Sequence, residues 1–350
     1  MVDFWRLIAS MNKSELVVSE PSLLEEDGVQ RISASIRGPG ISKEIWFRSK
    51  TPFGFDSAYA STAFAAAGLF AAMREGHRLR IEAPMPGELL PGIERYQYIN
   101  SLWYPEFRQT ELVAQSETNS EAEARAADPM AWFFTGGVDS FYTYLAKRQQ
   151  LTHAIFLHGA DIKLHEIKRR RVASRKLQRA ADEMGVSLIE VETNMLDFTD
   201  RYCSWGEHFH GAGLIATAML FNNHFKRLAI ASSDPVYRAP AWGSHPITDP
   251  LWSSPGFEVI HHGADRNRLE KTLAVTGSDL ALRHLQVCWR GGVSTENCCE
   301  CEKCLRTMVS LRIHGVLERC PTFPKPLDLS RVAGLRYDSA STEDEWWWNQ

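Results

Sequence analysis

The motif in this sequence that most clearly indicates a chemical function is a pair of glycines between hydroxyl and carboxylate side chains. The run Thr135-Gly136-Gly137-Val138-Asp139-Ser140 follows an apolar segment, Ala131–Phe134, and precedes a predicted helix at 141–148. Adjacent glycines let the backbone present its N–H groups to an anion, and the helix N-terminus adds a positive dipole end. The hydroxyls of Thr135 and Ser140 can donate to phosphate oxygens. Asp139 would repel a bare phosphate, so the pattern predicts a hard cation such as Mg²⁺ beside it; the competing interpretation is an ordinary glycine turn.

A cluster of cysteines is the second chemical feature. Five of the seven cysteines lie within residues 288–304, and this clustering argues against a disulfide framework. Four of them have the spacing of a closed zinc site with four thiolate ligands: Cys288, Cys298, Cys301 and Cys304. Cys299 competes with Cys298 for one position, and the equal two-residue intervals favour Cys298. An iron–sulfur cluster is the alternative occupant.

Alternating strands and helices are predicted to position both features. Strand-like segments at 131–134, 154–158, 188–192 and 228–232 alternate with helical segments at 141–148, 165–184 and 211–221. This order predicts an α/β fold with a Rossmann-like, doubly wound parallel sheet, in which ligands bind at the carboxyl ends of the strands.

The domain organisation follows from a change of composition. The pattern of residues 1–120 predicts a smaller α+β accessory domain. The polar stretch 121–130 predicts a linker. Residues 131–325 form the predicted α/β domain, with the zinc-binding region at 288–304. Residues 326–350 are predicted to be a tail that ends in an acidic and tryptophan-rich run, Asp344–Trp348.

The overall composition is that of a globular protein. The chain has 350 residues, of which 44% are hydrophobic and 23% charged, and this excludes a largely disordered chain. A formal net charge of −4 disfavours a general nucleic-acid binder, so the basic run Lys168–Arg171 is interpreted as a solvated helix face. No secretory or membrane-spanning pattern is present, which predicts a cytoplasmic protein without a membrane partner.

The two motifs together resemble a known enzyme family. The run 135–140 resembles the SGGxDS signature of the PP-loop ATP pyrophosphatases, with Thr135 in place of the usual Ser. The cysteine pattern, followed by Leu305 and Arg306, resembles that of the 7-cyano-7-deazaguanine synthases in the same superfamily. The resemblance covers roughly residues 131–320. It implies a PP-loop (HUP-type) fold, ATP and Mg²⁺ as ligands, and a structural Zn²⁺.

The resemblance also implies roles for individual residues. In that family the loop grips the β,γ-pyrophosphate of ATP, so all six residues at 135–140 are implied to bind ATP, with Asp139 and Ser140 taking part in catalysis. Asp161, which follows the second strand, is in the position where relatives bind the ribose. Lys271 is the cation implied to neutralise the leaving pyrophosphate.

The implied reaction is an AMP-forming ligation. A carboxylate or carbonyl substrate, deazaguanine-like, would be adenylated, and a nitrogen nucleophile would then form an amide or a nitrile. One alternative is sulfur transfer to tRNA or a small heterocycle, with Cys203 or Cys299 as the carrier. The other is an ATP-binding subunit without catalysis.

The expected partners follow from these readings. They are a small-molecule or protein-terminus substrate, and a protein bound through the N-terminal domain or the tryptophan-rich tail. RNA is disfavoured by the net charge, and a homodimer is left open.

Overall fold

The protein is described by a computed structural model over residues 14–54, 56–117, 123–290 and 296–335. The tail run Asp344–Trp348, two residues of the predicted linker (121 and 122) and the start of the predicted N-terminal domain lie outside these residues. The chain is a mixed α/β protein with a large sheet and many helices, consistent with a Rossmann-like fold. None of the helices in the described ranges has the length and apolar character needed to cross a membrane.

The elements are numbered here in chain order. The strands are β1 Glu15–Val18, β2 Ser22–Glu26, β3 Val29–Gly38, β4 Ile41–Ser49, β5 Arg78–Ile81, β6 Met85–Pro86, β7 Leu112–Val113, β8 Ser116–Glu117, β9 Met130–Phe133, β10 Leu151–His158, β11 Ser187–Thr193, β12 Arg227–Ala231 and β13 Glu258–His262. The helices are α1 Ser57–Glu75, α2 Leu90–Trp103, α3 Val138–Lys147, α4 Ile167–Met184, α5 Met195–Thr199, α6 His210–Met219, α7 Arg268–Thr276, α8 Asp279–His284, α9 Glu302–Ile313 and α10 Leu329–Ala333. Short 3-10 turns at Gly87–Leu89, Asp249–Trp252 and Leu317–Arg319 and a π-helical turn at Trp205–Phe209 complete the set.

The chain forms two compact units, each built from several segments. The first unit contains residues 1–131, 189–230 and 240–261. The second unit contains residues 132–188, 231–239 and 262–350. Every residue that the sequence predicts for the phosphate loop and the metal site belongs to the second unit.

The first unit is built on antiparallel and parallel strand pairs around a buried helix. β4, β3, β1, β5 and β7 are neighbours in that order; β3 runs antiparallel to β4 and β1, while β5 runs parallel to β1. Helix α1 is rich in Ala and almost wholly buried, which lets it pack closely against α6. Asp56 caps its first turn by accepting from the N–H of Ala58, and Gly76 ends it with φ of 73°.

The second unit contains the strand that leads into the diglycine loop. β9 and β10 are neighbours, and the N–H of Phe134 donates to Ile155 O at 2.8 Å. Trp132, Phe134 and Phe156 are fully buried along these strands and form the core on which the helices rest. Helix α3 packs against α7, α7 against α9, and α4 against α8.

Most of the predicted elements are confirmed, and the differences have physical reasons. The predicted helix at 165–184 and the predicted strand at 154–158 are present. β13 and α9 were not predicted, because a short strand and a helix beginning inside a cysteine cluster have weak periodicity. The prediction of a parallel sheet does not extend to β11, which pairs antiparallel with β4. β3 and β4 are joined by a tight turn, which forces an antiparallel pair.

Candidate functional site

The diglycine loop, residues 135–140, leads from β9 into α3. Gly136 has φ of +78°, and a Cβ added there would lie 3.0 Å from Gln286 Cβ and 3.3 Å from His284 O. Only glycine fits this backbone shape and this close approach. Gly137 is the residue that caps α3, and no side chain accepts a hydrogen bond from the first turn of the helix. Backbone N–H groups at this helix start are therefore not capped by a side chain, as the predicted anion site requires.

Cations gather around Asp139 in the first turn of α3. Arg268 Nη1 lies 2.5 Å from Asp139 Oδ2, and Lys271 Nζ lies 3.7 Å from Oδ1. The Oδ1 atom is buried and accepts no hydrogen bond. The structure therefore brings together two of the residues predicted for catalysis, Asp139 and Lys271, and places Arg268 beside them.

Lys271 is an unusual buried cation. Its side chain is 0% exposed, and Nζ donates to Ser232 O at 2.7 Å. Desolvation lowers the pKa of Lys271, although the carboxylate of Asp139 acts in the opposite direction. The nearby carboxylates thus do not fully offset the cost of burying this charge.

Arg306, whose side chain is 21% exposed, is a further cation with a lowered pKa, and the sequence analysis did not assign it to the site. It lies on α9, and its Nε is 3.3 Å from Glu302 Oε1. Burial lowers the pKa of Arg306 to about 10, and the positive charge of Arg268 acts in the same direction. The carboxylates of Glu302 and Asp139 oppose this shift. Because Lys271 and Arg306 both have lowered pKa values, an added anion would stabilise their charged forms.

The remaining loop residues are positioned less tightly. Ser140 is buried and its Oγ donates to Gly137 O at 3.0 Å, so this hydroxyl supports the loop. Thr135 and Val138 flank the glycines as predicted. Asp161 is exposed in the segment that follows β10, and no described contact joins it to the group around Asp139.

The four predicted cysteine ligands do converge. The sulfur atoms of Cys288, Cys298, Cys301 and Cys304 all lie within 4.8 Å of one another. The Cys288 and Cys304 sulfurs are 3.3 Å apart, and those of Cys298 and Cys304 are 3.8 Å apart. Four close cysteines of this kind could hold a metal ion such as zinc. The thiols of this group hydrogen-bond to one another, which lowers the pKa of Cys288 and raises the pKa values of Cys301 and Cys304.

Cys299 is excluded from this group by its backbone. Its φ is +61°, its thiol is buried and its Sγ donates to Asn297 O at 3.4 Å. The left-handed residue turns the chain so that the N–H of Cys301 donates to Cys298 Sγ at 3.2 Å. Of the two neighbouring cysteines, Cys298 and not Cys299 belongs to the four converging sulfurs.

A buried asparagine joins the cysteine cluster to the diglycine loop. Asn297 Oδ1 accepts from the N–H groups of Val287 at 2.8 Å and Cys288 at 3.2 Å, and Nδ2 donates to Leu285 O at 2.9 Å. In the same segment the N–H of Gln286 donates to Gly136 O at 2.7 Å. The sequence analysis did not predict these contacts of Asn297. Their only signal in the sequence is that a polar residue, Asn297, directly precedes Cys298.

Cys203, the alternative sulfur carrier, belongs to the first unit. It is 7% exposed, and its Sγ donates to Thr199 O at 3.4 Å. Burial raises the pKa of this thiol well above its usual value. Cys203 therefore lacks the accessible thiolate that sulfur transfer needs.

Comparison with protein-family models, with curated proteins and with solved structures found no match for this chain.

Proposed function

We propose that the protein is an ATP-dependent, AMP-forming ligase that binds the terminal phosphates of ATP at the diglycine loop. The observation that carries this proposal is the pair of cations at Asp139: the fully buried Lys271, whose Nζ lies 3.7 Å from Oδ1, and Arg268, which pairs with Oδ2. They act on Asp139, in the first turn of a helix whose start has no side-chain cap. A polyphosphate has the charge and the acceptor oxygens that such a group would bind.

The chain's own residues have distinct roles in this proposal. The N–H groups at Gly136 and Gly137 and the ammonium of Lys271 stabilise charge that develops on the departing pyrophosphate. Arg268 pairs with Asp139 in the structure, and its guanidinium would leave Asp139 and pair with phosphate oxygens when ATP binds. The buried Oδ1 of Asp139 and the vacated Oδ2 suit Mg²⁺, which would neutralise phosphate charge.

The substrate class follows from the resemblance alone. We expect a carboxylate or carbonyl on a deazaguanine-like molecule, attacked after adenylation by a nitrogen nucleophile to give an amide or nitrile. Asp161 is retained in this proposal as the ribose ligand. Sulfur transfer receives no support from Cys203, because its thiol is buried and its pKa is raised.

The test is product analysis with α-labelled ATP, Mg²⁺, 7-carboxy-7-deazaguanine and ammonium. Wild-type protein should release AMP and pyrophosphate, and Asp139→Asn and Lys271→Met should lower kcat/KM by on the order of 10²-fold or more. Asp279→Asn is the matched control, because Asp279 also lies in the first turn of a helix and pairs with an arginine, Arg319, but is exposed. ADP as the product, or tight ATP binding without turnover of any carboxylate, would contradict the ligase proposal; the latter result would favour the non-catalytic alternative.

The metal in the cysteine cluster is proposed to be a structural Zn²⁺. Four sulfurs bound to one zinc ion at about 2.3 Å are about 3.8 Å apart in a tetrahedron, close to the observed separations. An iron–sulfur cluster places several metal ions between its cysteines and needs wider spacing. We expect one zinc per chain in the wild type and in Cys299→Ser, and loss of zinc in Cys304→Ser, measured by elemental analysis; equimolar iron and sulfide would overturn this assignment.

A further inference from the structure

Helix α4 carries a row of arginine and lysine side chains that the proposed reaction does not use. The helix has seven basic residues and two acidic residues, and its apolar side packs inward through Ala173, Leu177 and Ala181. Three of the basic residues form ion pairs or hydrogen bonds: Arg169 pairs with Glu166, Arg170 donates to Leu164 O, and Lys176 pairs with Glu296. These three account for contacts that hold the helix in place.

The other four basic residues form an exposed row, called here the cationic stripe: Lys168, Arg171, Arg175 and Arg179. Their spacing of three, four and four residues places them on one face, about one 5.4 Å turn apart, over roughly 16 Å of helix. Within the described residues none of the four forms an ion pair. Both acidic residues of the helix lie in its last turn, where Asp182 accepts from Gln178 and Glu183 pairs with Arg283.

An unpaired row of like charges on one helix face lowers the stability of the helix. The apolar side of α4 compensates for that cost, but it does not explain why the four charges share one face. A solvated helix face usually mixes both signs, with acidic residues four positions from basic ones. The stripe lacks such acids through its first three turns.

We infer that the cationic stripe binds the phosphodiester backbone of a nucleic-acid strand. Three of the four residues are arginines, whose planar guanidinium groups match phosphate oxygens with two hydrogen bonds. Evenly spaced cations on a rigid helix suit a polymer with evenly spaced charges. The helix exposes one large apolar side chain, Ile167, so the face lacks the apolar centre that a protein partner would bury. The face also lacks aromatic side chains on which bases could stack, which predicts binding without sequence preference.

The net charge of −4 is compatible with this inference because the stripe is local. A whole surface of that charge repels nucleic acid at long range, and the stripe attracts it within a Debye length of about 10 Å. Binding should therefore be weak and strongly dependent on salt. Four phosphate contacts predict that log K falls with log salt with a slope of about −3 for a single strand. The inference does not depend on ATP chemistry.

The test uses fluorescence anisotropy of the full-length protein with labelled 20-nucleotide single-stranded RNA, single-stranded DNA and duplex DNA. The triple variant Arg171→Gln, Arg175→Gln and Arg179→Gln should bind at least about tenfold more weakly, with a slope reduced by about 0.7 for each substitution. Two single variants form a matched pair: Arg175→Gln removes one charge from the stripe, and Arg312→Gln removes an exposed arginine on α9 as its control. The control should leave affinity and slope unchanged. Thermal unfolding checks that each variant is folded.

The three nucleic acids and a polyglutamate of equal charge separate the possible partners. Equal affinity for strands of different sequence supports backbone binding, and the preferred strand type identifies the ligand. The inference is overturned if the wild type binds none of the three at low salt, if the triple variant binds as the wild type does, or if polyglutamate binds more tightly than every nucleic acid. ATP turnover is measured separately, so failure of either proposal leaves the other testable.

Discussion

Replacing Asn297 with Ala tests whether the cysteine cluster sets the shape of the diglycine loop. The side chain is 1% exposed and makes four hydrogen bonds within the segment 285–288: Oδ1 accepts from the backbone of Val287 and Cys288 and from the Gln286 side chain, and Nδ2 donates to Leu285 O. The substitution leaves the N–H groups of Val287 and Cys288 without their acceptor. Leu285 O keeps one partner, because Thr322 Oγ1 also donates to it at 2.7 Å.

The size of the effect follows from these contacts. A buried backbone group without a partner costs about 1–3 kcal/mol, and two such groups with partial relaxation give a loss of about 2–4 kcal/mol. We expect the free energy of unfolding of the zinc-loaded protein in urea to fall by that amount. Because Gln286, in the same segment, donates to Gly136 O, the variant should also bind ATP more weakly and release zinc more readily.

A buried asparagine elsewhere supplies the control. Asn100 is 2% exposed and its Nδ2 donates to Tyr96 O at 2.9 Å within α2 of the first unit. Asn100→Ala should lower the free energy of unfolding by about 1 kcal/mol and leave the zinc and ATP dissociation constants unchanged. If Asn297→Ala destabilised the protein but held both ligands as tightly as the wild type, the proposed coupling would be wrong.

Three other perturbations have defined outcomes. Desolvation lowers the pKa of Lys271 in the folded protein below its usual 10.5, so the unfolded chain binds this proton more tightly than the folded protein does. The free energy of unfolding of the wild type should therefore rise relative to that of Lys271→Met as the pH increases from the lowered pKa towards 10.5. Urea titrations at several pH values measure this difference. Cys203, whose pKa is raised by burial, should react with iodoacetamide at about pH 8 only after unfolding, and labelling of the native thiol, read by mass spectrometry, would contradict this. Asp249 is 0% exposed and accepts from Ser244 Oγ and His261 Nδ1, both at 2.7 Å. Asp249→Ala leaves these two donors without their acceptor and should lower the free energy of unfolding in urea by about 2–4 kcal/mol; a loss below about 1 kcal/mol would show that the two hydrogen bonds contribute little.

The features that could be predicted from the sequence are those coded by neighbouring residues. The helix predicted at 165–184 is observed as α4, Ile167–Met184, because its apolar and basic residues recur with a helical period. The diglycine loop and the four cysteine ligands were predicted because each depends on a short spacing that has few structural solutions. These predictions required no knowledge of tertiary contacts.

The features that could not be predicted depend on contacts between distant segments. Arg306 lies 167 positions after Asp139, and Asn297 touches backbone that the sequence marks in no way. The burial of Lys271 could not be predicted from the sequence either, since a lysine near the start of a polar helix is usually exposed. Such residues gain their properties from desolvation and from the partners that packing supplies.

The structure connects the cysteine cluster to the diglycine loop. Cys304 and Arg306 are on the same turn of α9, so a metal bound to the cysteine would also fix the start of the helix that carries the arginine. Gln286 lies two residues before Cys288, and its backbone bonds to Gly136. The cluster is therefore connected to the loop through the backbone, and the same helix carries an arginine whose charge interacts with that of Asp139. A metal site that served only to stabilise the fold would need neither contact, and for this reason we expect nucleotide affinity to depend on metal occupancy.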